Sequence, residues 1–414
     1  FQLFILIFLT AYFTTNSFIV TFHINELQYT FSSNLLLFLI TLIILAAFVI
    51  QFFYFKSRYN LQKYFLLKNN KKLKKGYSYF VEAMIALANK DKKNAVIANN
   101  KMKKLIKDDQ GLSLLLNSEI FKIEKKYQEL SLLHEEMIKN KNTESLGYKG
   151  LMEENINRQD FHHAFIYGEK LFQLNPFIDK LYLTLVSIIG KTRNWNQLIY
   201  ISKEAYNKKI IDQKLFNQNT GIAYYEISKI KKQSNPKESL NLILKAIKIQ
   251  GPFPPFVKLH LEILLIMNEI SKINKVIKKY WNSDPSSSLR RIISEFLKKN
   301  KMGNLENIRS IIKGSRDDKE SKKLLVDFAI HNGEWSLARD NVNGLIKFNP
   351  DREVCILMAS LELGEFNDKQ KRDAWMLRAE NSNLDEIWIC QITNISQNNW
   401  SSVSDSGHFN SLEW

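Results

Sequence analysis

Residues 35–55, LLLFLITLIILAAFVIQFFYF, form an apolar run without a single charge. At a helical rise of about 1.5 Å per residue, such a run reaches roughly 30 Å, the thickness of one bilayer hydrocarbon core. Directly after it come Lys56, Arg58, Lys63, Lys68, Lys71, Lys72, Lys74 and Lys75, with no acid among them. Across residues 1–55 the only charged side chain is Glu26. A chain of this kind is expected to be held in a membrane near this end. Its basic run then contacts anionic lipid head groups, at about 1 kcal/mol for each nearby cation. Lys and Arg next to a span stay on the cytoplasmic side, so everything beyond residue 56 is expected in the cytoplasm.

A second apolar stretch, Phe1 to about Ser17, precedes this run. Together they suggest a two-span transmembrane hairpin over residues 1–55. A cleaved signal peptide competes for the first stretch, but no small-x-small cleavage site is evident. Between the spans, at about 18–34, Phe18, Val20, Phe22 and Ile24 alternate with more polar neighbours, and Leu27, Tyr29 and Phe31 resume the alternation. Period-two apolarity around Asn25-Glu26 predicts a short β-hairpin, placed in the periplasm by its lack of Lys and Arg.

The formal charge of +17 is unevenly spread. Residues 90–107 hold seven Lys and one Asp, whereas Arg316 to Glu386 carries 11 basic and 15 acidic residues, a net of −4. A basic end near an anionic leaflet and a mildly acidic distal half suit a domain standing off a membrane. No aromatic-plus-basic nucleic-acid module accompanies the cations. Cys355 and Cys390 are the only cysteines, too few for a disulfide framework and consistent with a reducing compartment.

Residues 56–76 read as a basic juxtamembrane segment, and residues 77–381 as short amphipathic helices separated by a few polar residues. Four second-helix starts fall at Lys93, Tyr127, Phe161 and Trp195, each 34 residues after the last. A 34-residue helix-turn-helix period is that of tetratricopeptide (TPR) repeats. Asn175-Pro176 and Asn349-Pro350 end second helices, Ala164 and Ala338 hold small-residue positions, and Gly251-Pro252-Phe253-Pro254-Pro255 breaks the chain. The expected fold class is all-α: the two-span anchor, then about nine helix pairs in one continuous TPR-like α-solenoid superhelix. Trp195, Trp335, Tyr127 and Phe161 are expected to pack between helices.

Catalytic signatures are missing: there is no G-x-G-x-x-G, P-loop, H-E-x-x-H or G-x-S-x-G pattern, so the chain is expected to be non-catalytic. His162-His163 is the only adjacent histidine pair. Neighbouring helical residues point about 100° apart, so the two cannot ligate one metal from a regular helix. Either one is a candidate axial haem ligand, against the plainer reading of ordinary helix positions. Asp317-Asp318 and Asp385-Glu386 read as helix-start acids favoured by the dipole.

The aromatic tail, residues 382–414, carries a resemblance. Trp388-Ile389-Cys390-x-x-Thr393, Trp400-Ser401-Ser402-Val403 and Phe409-Asn410-Ser411-Leu412-Glu413-Trp414 are similar to the tail W-V-C-x-x-C, W-S-P-V-C-x-x-C-G-x-F-D-x-L-x-W of alphaproteobacterial HemY proteins. With the anchor, basic segment and repeats, the whole chain resembles that family. Of the four tail cysteines only Cys390 remains. Thr393 takes the second position, and Ser404 with Ser406 or Gly407 takes the place of the other pair. Four thiolates hold a tetrahedral zinc and one does not, so the tail is expected to be a degenerate zinc-ribbon remnant, folded onto the last repeat or loose. The resemblance implies a multi-pass protein of the bacterial inner membrane with its solenoid in the cytoplasm. It further implies a scaffold in a late step of haem biosynthesis, with ferrochelatase or another late-pathway enzyme as protein partner and haem or porphyrin as a candidate ligand. It is not the flavin-dependent protoporphyrinogen oxidase of the same name, which needs a glycine fingerprint this chain lacks. The alternative is a TPR adaptor for envelope (lipopolysaccharide) biogenesis, whose known examples generally have one span.

Overall fold

The computed structural model describes residues 7–8, 11–12, 15, 19–24, 27–106, 109–347, 350–382 and 386–414. The chain divides into two compact units, Phe1–Leu133 and His134–Trp414.

In the first unit, β1 (Ile19–Ile24) and β2 (Leu27–Ser32) pair antiparallel with Phe22 opposite Tyr29, the hairpin that the alternation predicts. The helix α1 (Ser33–Ala88) then runs for 56 residues. The apolar run, the basic segment and the expected first repeat helix are therefore one helix. The sequence reason is the absence of proline from this stretch and its wealth of Leu and Lys, with several Ala, which are good helix formers. Its one glycine, Gly76, marks a close approach: a Cβ there would sit 2.4 Å from Ile106 Cγ1. Ala83, Ala86 and Leu87 at the end of α1 pack against Ala95, Ala98 and Met102 of α2 (Lys92–Leu105) and Leu116 and Ile120 of α3 (Gln110–Glu124). Among the described residues one helix is long and apolar enough to cross a membrane. The two-span hairpin is thus reduced to one supported span, and the stretch Phe1 to Ser17 lies largely outside the described residues.

The second unit is built from α5 (Glu144–Asn157), α6 (Phe161–Leu174), α7 (Leu181–Thr192), α8 (Trp195–Asn207), α9 (Gln213–Lys231), α10 (Pro236–Gln250), α11 (Pro254–Ile266), α12 (Ile270–Ser283), α13 (Ser287–Lys299), α14 (Leu305–Ile311), α15 (Lys319–His331), α16 (Trp335–Ile346), α17 (Arg352–Phe366) and α18 (Lys369–Glu380). It also holds the end of α4 (Tyr127–Met137), since the division between the units falls after Leu133. Its apolar clusters hand over from pair to pair. Ala223 of α9 belongs to the cluster around α6–α8, while Ile222 and Tyr225 of the same helix belong to the next one with Ile243 and Phe256. Farther on, Leu324 and Phe328 of α15 face Trp281, and Val326 and Ala329 face Val342 and Val354. This nearest-neighbour burial is the mark of stacked helical repeats.

Second helices begin at Phe161, Trp195, Pro236 and Ile270, spacings of 34, 41 and 34. The middle interval is seven residues longer, which is two helical turns. The extension lies in the 19-residue α9, and two turns keep its buried face in phase. Left-handed backbone follows the first helix of several pairs, at Lys90, Lys125, Gln159, Arg193, Asn268, Lys301, Gly333 and Asn367. Asp or Asn side chains cap second helices from Asp91, Asp160, Asn235, Asn304 and Asp368.

The distal first helices are joined by a buried ion network. Arg290 of α13 bonds Glu320 of α15 at 2.8 Å and Glu353 of α17. Lys323 reaches Asp351 at 2.8 Å and Glu320 at 3.0 Å. Hydrogen bonds from Lys319 and Lys323 overcome burial and hold Asp351 down at about 2. Each buried charge has an opposite partner, the condition under which such a network is tolerated.

The unbroken α1 gives a direct test. Spin labels at positions 57 and 78, with Cys355 and Cys390 replaced by serine, should lie about 31 Å apart with a narrow distribution, 21 residues of helix. Asn70→Pro should shorten and broaden that distance in a pulsed dipolar measurement.

Candidate functional site: a trough closed by the C-terminal tail

The tail is a small sheet rather than helix or loose chain. β3 (Trp388–Cys390) lies between β4 (Ser396–Gln397) and β5 (Leu412–Glu413), antiparallel to both. At its heart the Cys390 sulfur lies 3.3 Å from Ser411 Oγ and accepts a hydrogen bond from Ser406 Oγ at 3.4 Å. Thr393 Oγ1 donates to Ser406 at 3.1 Å, and Ser404 lies 2.9 Å from Ser406. Positions 390, 393, 404 and 406 therefore converge, and hydroxyls bridge them. Among the described residues no group of three or more His, Cys, Asp or Glu side chains is placed to hold a metal. Hydrogen bonds from Ser406, Ser411 and Thr393 bring the Cys390 thiol down to about 5, because they favour the charged form.

The tail does not dock on the last pair, α17 and α18. It reaches back to α7–α13. Phe409 lies on Trp195 with ring centres 6.1 Å apart, and a Cβ on Gly190 would come within 3.0 Å of Phe409 Cβ. Trp400 meets Tyr225 at 5.4 Å and Phe253 at 5.2 Å, both edge-to-face. Trp388 meets the same Phe253 at 5.8 Å and Trp414 at 5.1 Å. Such pairs are worth about 0.5–1.5 kcal/mol each beyond their buried area. The physical reason for this landing place is the break at 251–255. Read from sequence only as a helix breaker, it presents Phe253 to two tryptophans. Trp414 Nε1 donates to Ser287 Oγ at 2.8 Å and Glu386 Oε2 at 3.0 Å. Glu386 is thus a clasp for the tail and not a helix-start acid. Asp385 lies outside the described residues, and Asp318 does cap α15, accepting from Ser321 N at 3.1 Å.

Between the tail and the faces of α9, α11 and α13 lies an open cavity of about 330 Å³, walled by Trp388, Trp400 and Trp414 at the tail. Tyr225 and Lys229 of α9 and Lys232 just past its end face it, as do Lys258 and Glu262 of α11 and Arg291 and Glu295 of α13. Helical spacing of three, four and seven residues puts these side chains on single faces. Sequence reasoning missed this site. The signal was present as charged residues at that spacing on successive first helices, but only the fold shows that the three faces adjoin.

The other candidate residues fall elsewhere. His162 and His163 both lie exposed on the first turn of α6, with His163 Nδ1 2.8 Å from Asp160 Oδ2, and neither lines the trough. The eight cations from Lys56 to Lys75 are all exposed along α1, and among the described residues none has an ion-pair partner. Lys56 and Lys68 lie over the rings of Phe52 and Tyr64. Of the four residues expected to pack between helices, Trp195 is buried, and Trp335 packs so closely on α17 that a Cβ on Gly364 would lie 2.6 Å from its ring. Phe161 is half-buried beneath Lys191. Tyr127 is a correction: it is 64% exposed, because it opens the short α4 on that helix's outward side.

No family model matches this chain, and no curated protein matches it. Among solved structures it is similar to a tetratricopeptide repeat protein from Parabacteroides merdae, at 12% identity over 61% of this chain and 94% of that one, with a TM-score of 0.29. The TPR2AB-domain:pHSP90 complex of yeast Sti1 gives 10% identity over 74% and 98%, with a TM-score of 0.30. Yeast Tom70 gives 13% over 76% and 78%, with a TM-score of 0.31. These scores are low, and the assignment to the helical-repeat class stands on the helix pairing and period of the chain itself.

Trp400→Ala should release the tail, at a cost of about 3 kcal/mol for truncating a packed aromatic. Amide exchange would then rise across residues 388–414 while α9 and α11 keep their protection. In a Cys355→Ser background the ultraviolet thiolate band of Cys390 should titrate near pH 5, and Ser406→Ala should move the midpoint upward.

Proposed function

We propose that this protein is a non-catalytic, membrane-anchored helical-repeat scaffold that holds a protein partner beside the bilayer. The observation that carries this reading is α1. One helix joins a membrane-spanning length of apolar residues, Leu35 to Phe55, to the helix pair that begins the repeats. A partner bound to the repeats is then confined near the membrane, which raises its effective concentration there without bond-making. The basic run Lys56 to Lys75 supports placing that end of α1 at an anionic, cytoplasmic surface.

The tail pattern shared with HemY proteins extends the proposal to a late step of haem biosynthesis, with ferrochelatase or another terminal enzyme as the partner. The approach of Thr393, Ser404 and Ser406 to Cys390 is compatible with that resemblance, in which Ser404 with Ser406 or Gly407 takes the place of the second cysteine pair. Haem itself enters through His162 or His163, both open to solvent. One observation favours a second reading, an adaptor for lipopolysaccharide-assembly proteins: the single supported span suits that class better than two.

Affinity capture from detergent-solubilised membranes, with absorbance read on the eluate, separates the two. The haem-pathway reading expects enrichment of ferrochelatase or a neighbouring enzyme, and haem binding expects a Soret band that His162→Ala or His163→Ala removes. Recovery of envelope-assembly proteins without a Soret band replaces it with the adaptor. Capture of no partner above an unrelated anchored control removes the scaffold reading altogether.

A further inference from the structure

We propose that the trough between α9, α11, α13 and the tail binds an extended acidic peptide of about five residues, with an aromatic or apolar side chain at its tryptophan end. The inference rests on the scaffold reading and names the chemistry of the partner segment.

Shape comes first. A second cavity of about 320 Å³ adjoins the one beneath the tail, and the two share Lys232, Lys258, Glu262 and Glu295. Together they form one trough running along the helices, from Pro255 to Ile266 on α11. Eleven residues of helix span about 16 Å, which accommodates about five residues of extended chain at 3.3 Å each. A narrow trough of this length fits a strand of polypeptide better than a compact small molecule.

Charge selects the peptide. Lys229, Lys232, Lys258, Arg291 and Lys299 line the trough against only Glu262 and Glu295. Lys232 pairs with Glu262 at 2.8 Å and Lys258 with Glu295 at 3.3 Å. Lys229 and Lys299 have no carboxylate within 4.0 Å among the described residues. Lys229 lies over the Tyr225 ring, and Arg291 lies over Trp414 while sharing Glu353 at 3.3 Å. The surplus is positive and spread along the whole length, which attracts a run of acids. Glu262 and Glu295 are already held by Lys232 and Lys258, so the acids of a peptide meet Lys229, Arg291 and Lys299, and a single-stranded nucleic acid is the competing occupant that the test separates.

The tail supplies the rest. Trp388, Trp400 and Trp414 wall one end, and amphipathic aromatic walls of this kind anchor apolar side chains. Asn398 and Asn399 of the tail also line the trough. Their side-chain amides make no hydrogen bond with any described residue. Each carries both a donor and an acceptor, the complement of a peptide unit. The site is therefore composite: repeat helices give the charge, and the docked tail gives the apolar end and the backbone-reading amides.

The test uses the full chain in detergent and fluorescein-labelled pentapeptides, each with one phenylalanine, at either end, and four Asp or Glu residues. Anisotropy should show saturable binding. Replacing the acids by Asn and Gln, or the phenylalanine by Ala, should weaken it about tenfold or more. Lys229→Glu with Lys299→Glu changes two exposed side chains and should remove the preference for acids while leaving the helical circular dichroism intact. Equal affinity for acidic and neutral peptides overturns the proposal, as does an unaffected double variant or tighter binding of a single-stranded oligonucleotide. If membrane capture recovers the same partner with wild type and double variant, the trough proposal fails and the scaffold reading stands. If the pentapeptide binds as expected but no partner is captured, the scaffold reading fails and the trough stands.

Discussion

A short amphipathic helix pair cannot bury its own apolar stripe, and the distal unit is organised by that deficit. The first helices α9, α11 and α15 are each shared between two clusters, one with the pair before and one with the pair after. Because burial is local, the repeats tolerate irregularity where it preserves phase. The two extra turns in α9 are the clearest case: they lengthen one wall of the trough without turning its buried face away. The ion network from Arg290 to Asp351 adds a second link across three first helices, buried enough to be little screened by salt.

Two features stand outside the repeat logic and give the molecule its character. In the first unit α1 carries the chain from an apolar span to its first helix pair with no hinge. In the second, a small sheet folds back onto the middle helices. A hydrogen-bonded cluster of one thiol and four hydroxyls holds that sheet. A metal supplies such a knuckle with strong bonds at four points. Here the geometry is carried by weaker bonds at the centre and by aromatic contacts at the rim, Trp388, Trp400, Phe409 and Trp414.

Much of this is legible in the sequence, and the illegible parts have physical causes. Helix pairing follows from the apolar period, and the second-helix starts read at Lys93, Tyr127, Phe161 and Trp195 lie within one residue of the observed starts Lys92, Tyr127, Phe161 and Trp195. The hairpin follows from alternation. The joining of span, basic segment and first repeat helix was missed, because a change from apolar to charged composition suggests a boundary although nothing in residues 56–76 breaks a helix. The repeat period blurs because its left-handed turns are carried by Lys, Gln, Arg and Asn at most positions, where a glycine would have signalled them. The landing place of the tail was beyond reach. Contacts such as Phe409 with Trp195 join residues more than two hundred apart, and no local pattern records them.

That long reach has a consequence for the order in which the molecule is made. Phe253 leaves the ribosome 147 residues before Trp400, an interval of about 7 to 30 s at ordinary synthesis rates. Throughout it the aromatic ledge of Tyr225, Phe253 and Phe256 lacks its tryptophan cover and is a sticky surface on the nascent chain. The middle repeats are completed only when the tail arrives, so a truncation that removes Trp388 and Trp400 leaves the same ledge bare in the finished protein.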